Sequence, residues 1–389
     1  MRYFVRVLIV VLSVSVLFLS CAQKSEVSDG TSQWRGKMDT FAAVIEDLFP
    51  LIMSQQEFNN PDNFERIEAD VNHLSKLAHV IEGDSKRLKM DSIGSDPSVL
   101  FIAKSFQREI SRAQMALADG KRGYAQSVLK RTTAYCVQCH SRGNYGVEFA
   151  RWRDSKRFEK LDPIEKAELY SAIREYDAAM DLYNKILADE KLAKKKTFVW
   201  EKAAMNALNL AVRVKQSPKE GLAIVGQITS TPRVAAFLKE DAKAWQKSLL
   251  QWKNEKLKKD SDKLSTARSL IEKAVRNQGF FADKSSQVEY LRATTLLHDN
   301  LRQDKKPPRV AESLYLLGRS YDALNDGAQD GISDLYFEAC IEQLPHSKLA
   351  MQCFRRYESN IYFGFAGSGG LYVPPDVSER LQALKKLAQ

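Results

Sequence analysis

The chain has 389 residues, room for two or three domains, and its 44% apolar and 28% charged residues exclude a membrane-embedded body. The net charge is +10. Yet the basic runs "KLAKKK" and "KNEKLKKDSDK" are interleaved with acidic residues and no base-reading module accompanies them, so no nucleic-acid partner is expected. Solvated helix faces or contact with anionic lipid headgroups explain these runs better.

The N-terminus is the one strongly apolar stretch. "MRYFVRVLIVVLSVSVLFLSCAQKS" carries Arg2 and Arg6, then an uncharged run over residues 7–19, too short to span a bilayer and suited to the apolar core of an export signal. Ser20 and Cys21 follow directly. This resembles a bacterial lipoprotein signal, in which a small residue precedes a cysteine that becomes lipid-modified; ordinary cleavage nearby, with Cys21 a spectator, is the alternative. The resemblance implies a signal over residues 1–21, a polar tether over 22–35 and a lipid anchor on Cys21. It places the chain in the cell envelope facing the periplasm, with Gln23 after the anchor favouring the outer membrane by analogy. Export also implies an oxidising compartment, where unpaired thiols need a reason to exist.

Residues 36–150 read as four helices. The first, near 37–56, carries the stripe Met38, Phe41, Ile45, Leu48, Ile52. The second opens at Pro61 and carries Phe64, Ile67, Val71, Leu74, Ala78 and Ile81. After a break at "EGDSKRLKMDSIGSD", Pro97 starts the third, with Leu100, Ala103, Phe106, Ile110, Ala113 and Leu117 facing inward. "ADGKRG" turns the chain, and the fourth helix runs from Tyr124 into "CVQCH". Similar lengths and modest connections predict an antiparallel up-down-up-down bundle. One end of that bundle would then hold Cys136, Cys139 and His140 together with Met38, Phe41, Ala78, His79, Ile81, Leu100 and Phe101.

Three chemistries use Cys-x-x-Cys. Zinc needs about two more ligands, and His73, His79, His298 and His346 form no second Cys/His pair at matching spacing. A thioredoxin-like dithiol starts a helix after a strand, whereas this motif ends a helix. Covalent haem c needs what is present: two thiols to add across the vinyl groups and an adjacent imidazole for the iron. The motif at the end of a fourth helix resembles the four-helix, class II c-type cytochromes of the cytochrome c-prime family, over about residues 35–145. The resemblance implies thioether links at Cys136 and Cys139 and proximal ligation by His140.

The opposite iron face sets the chemistry. Met38 is the candidate sixth ligand, since it lies on the inward stripe at the right end; an open site and ligation by His79 are the alternatives. His73 lies about 9 Å further along its helix, too far away. Phe41, Phe101 and Tyr135 either pack on the porphyrin or are plain core. Arg131 and Arg142 are the cations nearest the motif for pairing with propionates.

Residues 160–389 change pattern. In "AELYSAIREYDAAMDLYNKIL", Ala167, Tyr170, Ala179, Tyr183 and Ile186 alternate small and large side chains in a way similar to a tetratricopeptide (TPR) hairpin. Looser copies follow: "FVWEKAAMNALNLAVRVKQSPKEGLAIVGQI", then "AWQKSLLQWKNEKL" with "LSTARSLIEKAV", then "RVAESLYLLGRSYDAL" with "ISDLYFEACIEQLPHSKLAMQCFRRYESNIYFG". Strict repeat length is absent. The resemblance implies a TPR-like α-solenoid, a class that generally docks segments of other proteins. Cys340 and Cys353 flank the turn at Pro345 and are placed to form a disulfide, with two buried thiols as the alternative. "GFAGSGGLYVPPD" lacks the signature of a phosphate cradle and reads as an ordered loop before a last helix.

The expectation is therefore an all-α chain: an antiparallel four-helix haem bundle followed by a TPR-like α-solenoid. It would be an exported monohaem electron carrier, not an enzyme, whose solenoid docks a redox or envelope partner. A five-coordinate haem protein that senses a diatomic gas and a scaffold with structural haem are the alternatives.

Overall fold

The computed structural model describes residues 29–87, 96–142, 158–159, 161–232, 234–255, 262–279, 283–324 and 331–389. The fold is all-α. Among the described residues the only strands are two dipeptides, β1 (Ala366–Gly367) and β2 (Gly370–Leu371), paired antiparallel. The expected signal and Cys21 lie outside the described residues.

The chain divides into two compact units, Met1–Ala43 and Val44–Gln389. Helix α1 (Asp29–Met53) begins in the first and contains Met38, which is half-buried. The second unit contains the remaining helices, beginning with α2 (Gln55–Phe58), α3 (Phe64–Arg87), α4 (Pro97–Ala118) and α5 (Arg122–His140). Their apolar stripes are the ones the periodicity predicts: Ile67, Val71, Leu74 and Ala78 on α3, and Ala103, Phe106, Ile110, Ala113 and Leu117 on α4, all buried.

Cross-helix pairs fix the directions. Gln107 meets His79 at 3.1 Å and Gln114 meets Asn72 at 2.7 Å, so α3 and α4 are antiparallel. Arg131–Glu109 at 3.6 Å and the edge-to-face Tyr135–Phe106 pair do the same for α4 and α5. The last carbonyls of α1, which have no intrahelical donors, accept from the start of α5: Gln126 Nε2 to Ile52 and Lys130 Nζ to Met53, both 2.8 Å. Arg122, at the first residue of α5, donates to the Phe58 carbonyl at 2.8 Å and lies over the Phe64 ring.

From residue 163 onward, successive helices pack on their neighbours: α6 (Pro163–Ala172) on α7 (Tyr176–Leu187), and α7 on α9 (Thr197–Asn209), with the short α8 (Glu190–Lys195) between them. A π-helical segment, Leu210–Val214, extends α9. Next come α10 (Pro218–Ser230), α11 (Ala236–Asn254), α12 (Lys263–Asn277), α13 (Gln287–Gln303), α14 (Pro307–Leu324), α15 (Ile332–Gln343), α16 (Lys348–Phe365) and α17 (Pro375–Ala388). Ala167, Tyr170, Ala179, Tyr183 and Ile186 are all buried.

The third hairpin differs from the sequence reading. Instead of pairing with α12, α11 packs on α10 and α13, with Trp245 Nε1 donating to the Lys284 carbonyl at 2.7 Å and Ser248 to Glu289 at 2.6 Å. Helix α12 turns its buried face, Leu264, Ala267, Leu270, Ile271 and Ala274, to α13. Each helix carries apolar residues enough for either neighbour, so local periodicity does not choose the partner.

Helices α14 and α15 pack tightly at Gly318, where a Cβ would lie 2.5 Å from the Phe337 ring. Cys340 on α15 and Cys353 on α16 are bonded, with sulfurs 2.02 Å apart, inside the core cluster formed by the last helices. The two halves of the second unit also touch: α4 packs on α15, and α5 on α6.

Candidate functional site

Cys136, Cys139 and His140 occupy the last turn of α5, each half-buried. Spacings of three and four put Cys136 on the same helix face as the other two. The two thiols are not joined to each other. Burial, then the neighbouring Cys139, pushes the Cys136 thiol up to about 12. A dithiol that works by thiolate attack needs the opposite shift.

The imidazole is held from outside its own helix. Nδ1 of His140 contacts the carbonyl of Ala172, the last residue of α6, where helix carbonyls have no intrahelical donor. A carbonyl can only accept, so Nδ1 carries the proton and Nε2 is the nitrogen with a coordinating lone pair. Burial lowers the His140 pKa to about 4, with help from the Arg174 charge and against the pull of the Ala172 carbonyl, so the ring is neutral at pH 7. Tyr176 Oη donates to the main-chain carbonyl of His140 at 2.7 Å.

Two residues beyond His140, Arg142 is buried and donates to Asp96 at 2.8 Å. Asp96 is the N-cap of α4, accepting from the Ser98 amide at 3.0 Å. Its carboxylate also accepts from Tyr336 at 3.0 Å and lies 2.8 Å from His298 Nδ1. His298 Nε2 is 2.9 Å from the Tyr321 hydroxyl, which accepts from Arg213 at 3.2 Å, and the rings of Tyr321 and Tyr336 stack 5.5 Å apart. Burial acts to raise the Asp96 pKa, but Arg142 and then His298 outweigh it and hold the carboxylate well below its ordinary range. Burial depresses His298 to about 4, so at neutral pH Arg142 is the charge that faces Asp96.

These partners correct parts of the sequence reading. Arg142 is engaged by Asp96 rather than available to a propionate, and Arg131 is exposed beside Glu109. Phe101 packs against the core cluster formed by residues 264–388, near Gly331. His73 and His79, neither of which lies on the inward stripe read from the sequence, are exposed on α3. The sequence reading missed Asp96, Ala172, Tyr176, Arg213, His298, Tyr321 and Tyr336. Two carried a signal: Arg213 interrupts the apolar run "NLAVRV", and Asp96 precedes a helix-opening proline.

Among the described residues no group of three or more His, Cys, Asp or Glu side chains is gathered to hold a metal ion, and no helix is long and apolar enough to cross a membrane. A haem iron takes four ligands from its porphyrin and calls for no such group. No known protein-family profile, no curated protein and no solved structure matches the chain.

Proposed function

We propose that the chain is an exported carrier of one covalent haem c, bound at Cys136, Cys139 and His140, that passes single electrons in the cell envelope. The observation that carries this reading is an imidazole whose Nδ1 faces the Ala172 carbonyl, standing next to two thiols that are not bonded to each other, in a chain whose other described cysteines form a disulfide. These residues fit the group: the thiols would form the thioethers and His140 Nε2 would ligate the iron. When bound, haem c supplies a reversible one-electron iron couple.

The chain's own residues then have distinct tasks. The Ala172 carbonyl keeps the proton on Nδ1 and orients the ring. Arg142 anchors the chain just after the motif by its buried pair with Asp96. Met38 is proposed as a second protein ligand of the haem iron, where its thioether would stabilise the ferrous state. The repeats at 160–389 are proposed to dock the redox or envelope partner, and Cys21 to anchor the chain to the outer membrane by lipid.

Co-expression with a full haem-maturation apparatus tests the reading. The expected product is coloured, heavier by one haem, and low-spin with a methionine-to-iron band that disappears in Met38→Ala. A high-spin spectrum that shifts with carbon monoxide or nitric oxide would favour a gas-binding role instead. A colourless product of unmodified mass sinks the proposal.

A further inference from the structure

His140 is gripped by one hairpin from two sides. The α6–α7 turn brings the Ala172 carbonyl to the ring Nδ1 and the Tyr176 hydroxyl to the residue's own carbonyl at 2.7 Å. The hairpin is well built for this. Ile173 N bonds the Leu169 carbonyl and Glu175 N the Tyr170 carbonyl, both at 2.9 Å. Between them Arg174 takes a left-handed φ of 68°, which a non-glycine residue adopts only when its surroundings require it. Ala172, Ile173 and Tyr176 are each at least nine-tenths buried, so the turn has little room to move. Holding both the ring and the main chain removes the rotations by which an imidazole could turn away from a metal.

We propose that the α6–α7 hairpin is the positioning element of His140, with Tyr176 as its positioning residue. The strength of the imidazole as an iron ligand is therefore tuned by this hairpin, which lies outside the helix that bears the motif. The part concerning iron rests on the haem reading above; the grip on the imidazole does not. A carbonyl accepting from Nδ1–H pushes electron density toward Nε2 and favours ferric iron. Any displacement of the hairpin along its stack changes that push, which gives the repeat region a route to the redox couple.

The test compares Tyr176→Phe with Tyr183→Phe in the full chain. Both remove one buried hydroxyl from α7, but Tyr183 hydrogen-bonds Ser171 at 3.3 Å and not His140. Nitrogen-15 NMR of the haem-free, reduced chain is expected to find His140 protonated at Nδ1 in the wild type and in Tyr183→Phe, and a tautomer mixture in Tyr176→Phe. In the haem-loaded protein, with haem content equal by mass, Tyr176→Phe is expected to favour ferrous iron about tenfold, a rise of about 59 mV for one electron. An unchanged tautomer and potential, or an equal shift in Tyr183→Phe, overturns the proposal. A colourless product would overturn the function proposed above, while the tautomer measurement would still decide the grip.

Discussion

Cys340 and Cys353 sit on two helices, face each other across a turn and are bonded; Cys136 and Cys139 share one helical turn and are not. The first pair lies inside an apolar cluster and closes a short loop, so its work is to constrain the chain. The second stands at a helix end, half-buried, beside an imidazole whose proton is directed by a carbonyl from another helix. The same residue type is therefore a staple in one region and a candidate attachment point in the other. What separates them is their neighbours: hydrocarbon around one pair, a polarised histidine and a buried ion pair beside the other.

The sharpest break in that comparison comes from removing each pair. Under the proposed function, replacing Cys136 and Cys139 by alanine is expected to abolish covalent haem altogether, read as loss of the added mass, while Cys340→Ser with Cys353→Ser leaves it in place. Next in size is Arg142→Met, which strands the buried Asp96 carboxylate and is expected to cost ~3–5 kcal/mol in denaturant unfolding.

The same network predicts acid sensitivity. The folded-state pKa of His298, about 4, lies below the ordinary 6.5, so its contribution to stability is complete above pH 6.5 and lost as pH falls from 6.5 to 4. Asp96, held below 3.8, adds a further loss under that pH. Urea midpoints at half-unit pH steps should fall over this window in the wild type and fall less in His298→Gln.

Opening the Cys340–Cys353 bond with a reductant is expected to cost about 3 kcal/mol, seen as a lowered thermal midpoint. The smallest effect is Gly318→Ala, where the new Cβ meets the Phe337 ring; about 1–3 kcal/mol of destabilisation is expected by the same measurement. A Gly318→Ala chain as stable as the wild type would mean that α14 and α15 separate without penalty.

Much of this was legible before any tertiary structure. The stripes of α3 and α4, the proline that opens α4, the turn before α5 and the motif at its end all follow from period and capping, which act within a few residues. The network around Asp96 was not legible. Arg142, His298, Tyr321 and Tyr336 come from distant segments, and each alone reads as an ordinary polar residue. The pairing of α11 with α10 and α13 was hidden for a related reason, since an amphipathic face states that it needs a cover but not which helix supplies it.

The amino-acid order by itself determined that the chain is helical, where several helices begin or end, and that two thiols and an imidazole share the end of α5. These are local outcomes, decided by propensity, capping and a 3.6-residue period. Only the tertiary structure decided that the imidazole Nδ1 sits against Ala172, that Arg142 faces Asp96 and that Phe101 packs against the core of the last helices. Those outcomes depend on which buried polar groups can satisfy one another across long sequence separations, and that is settled when the helices pack.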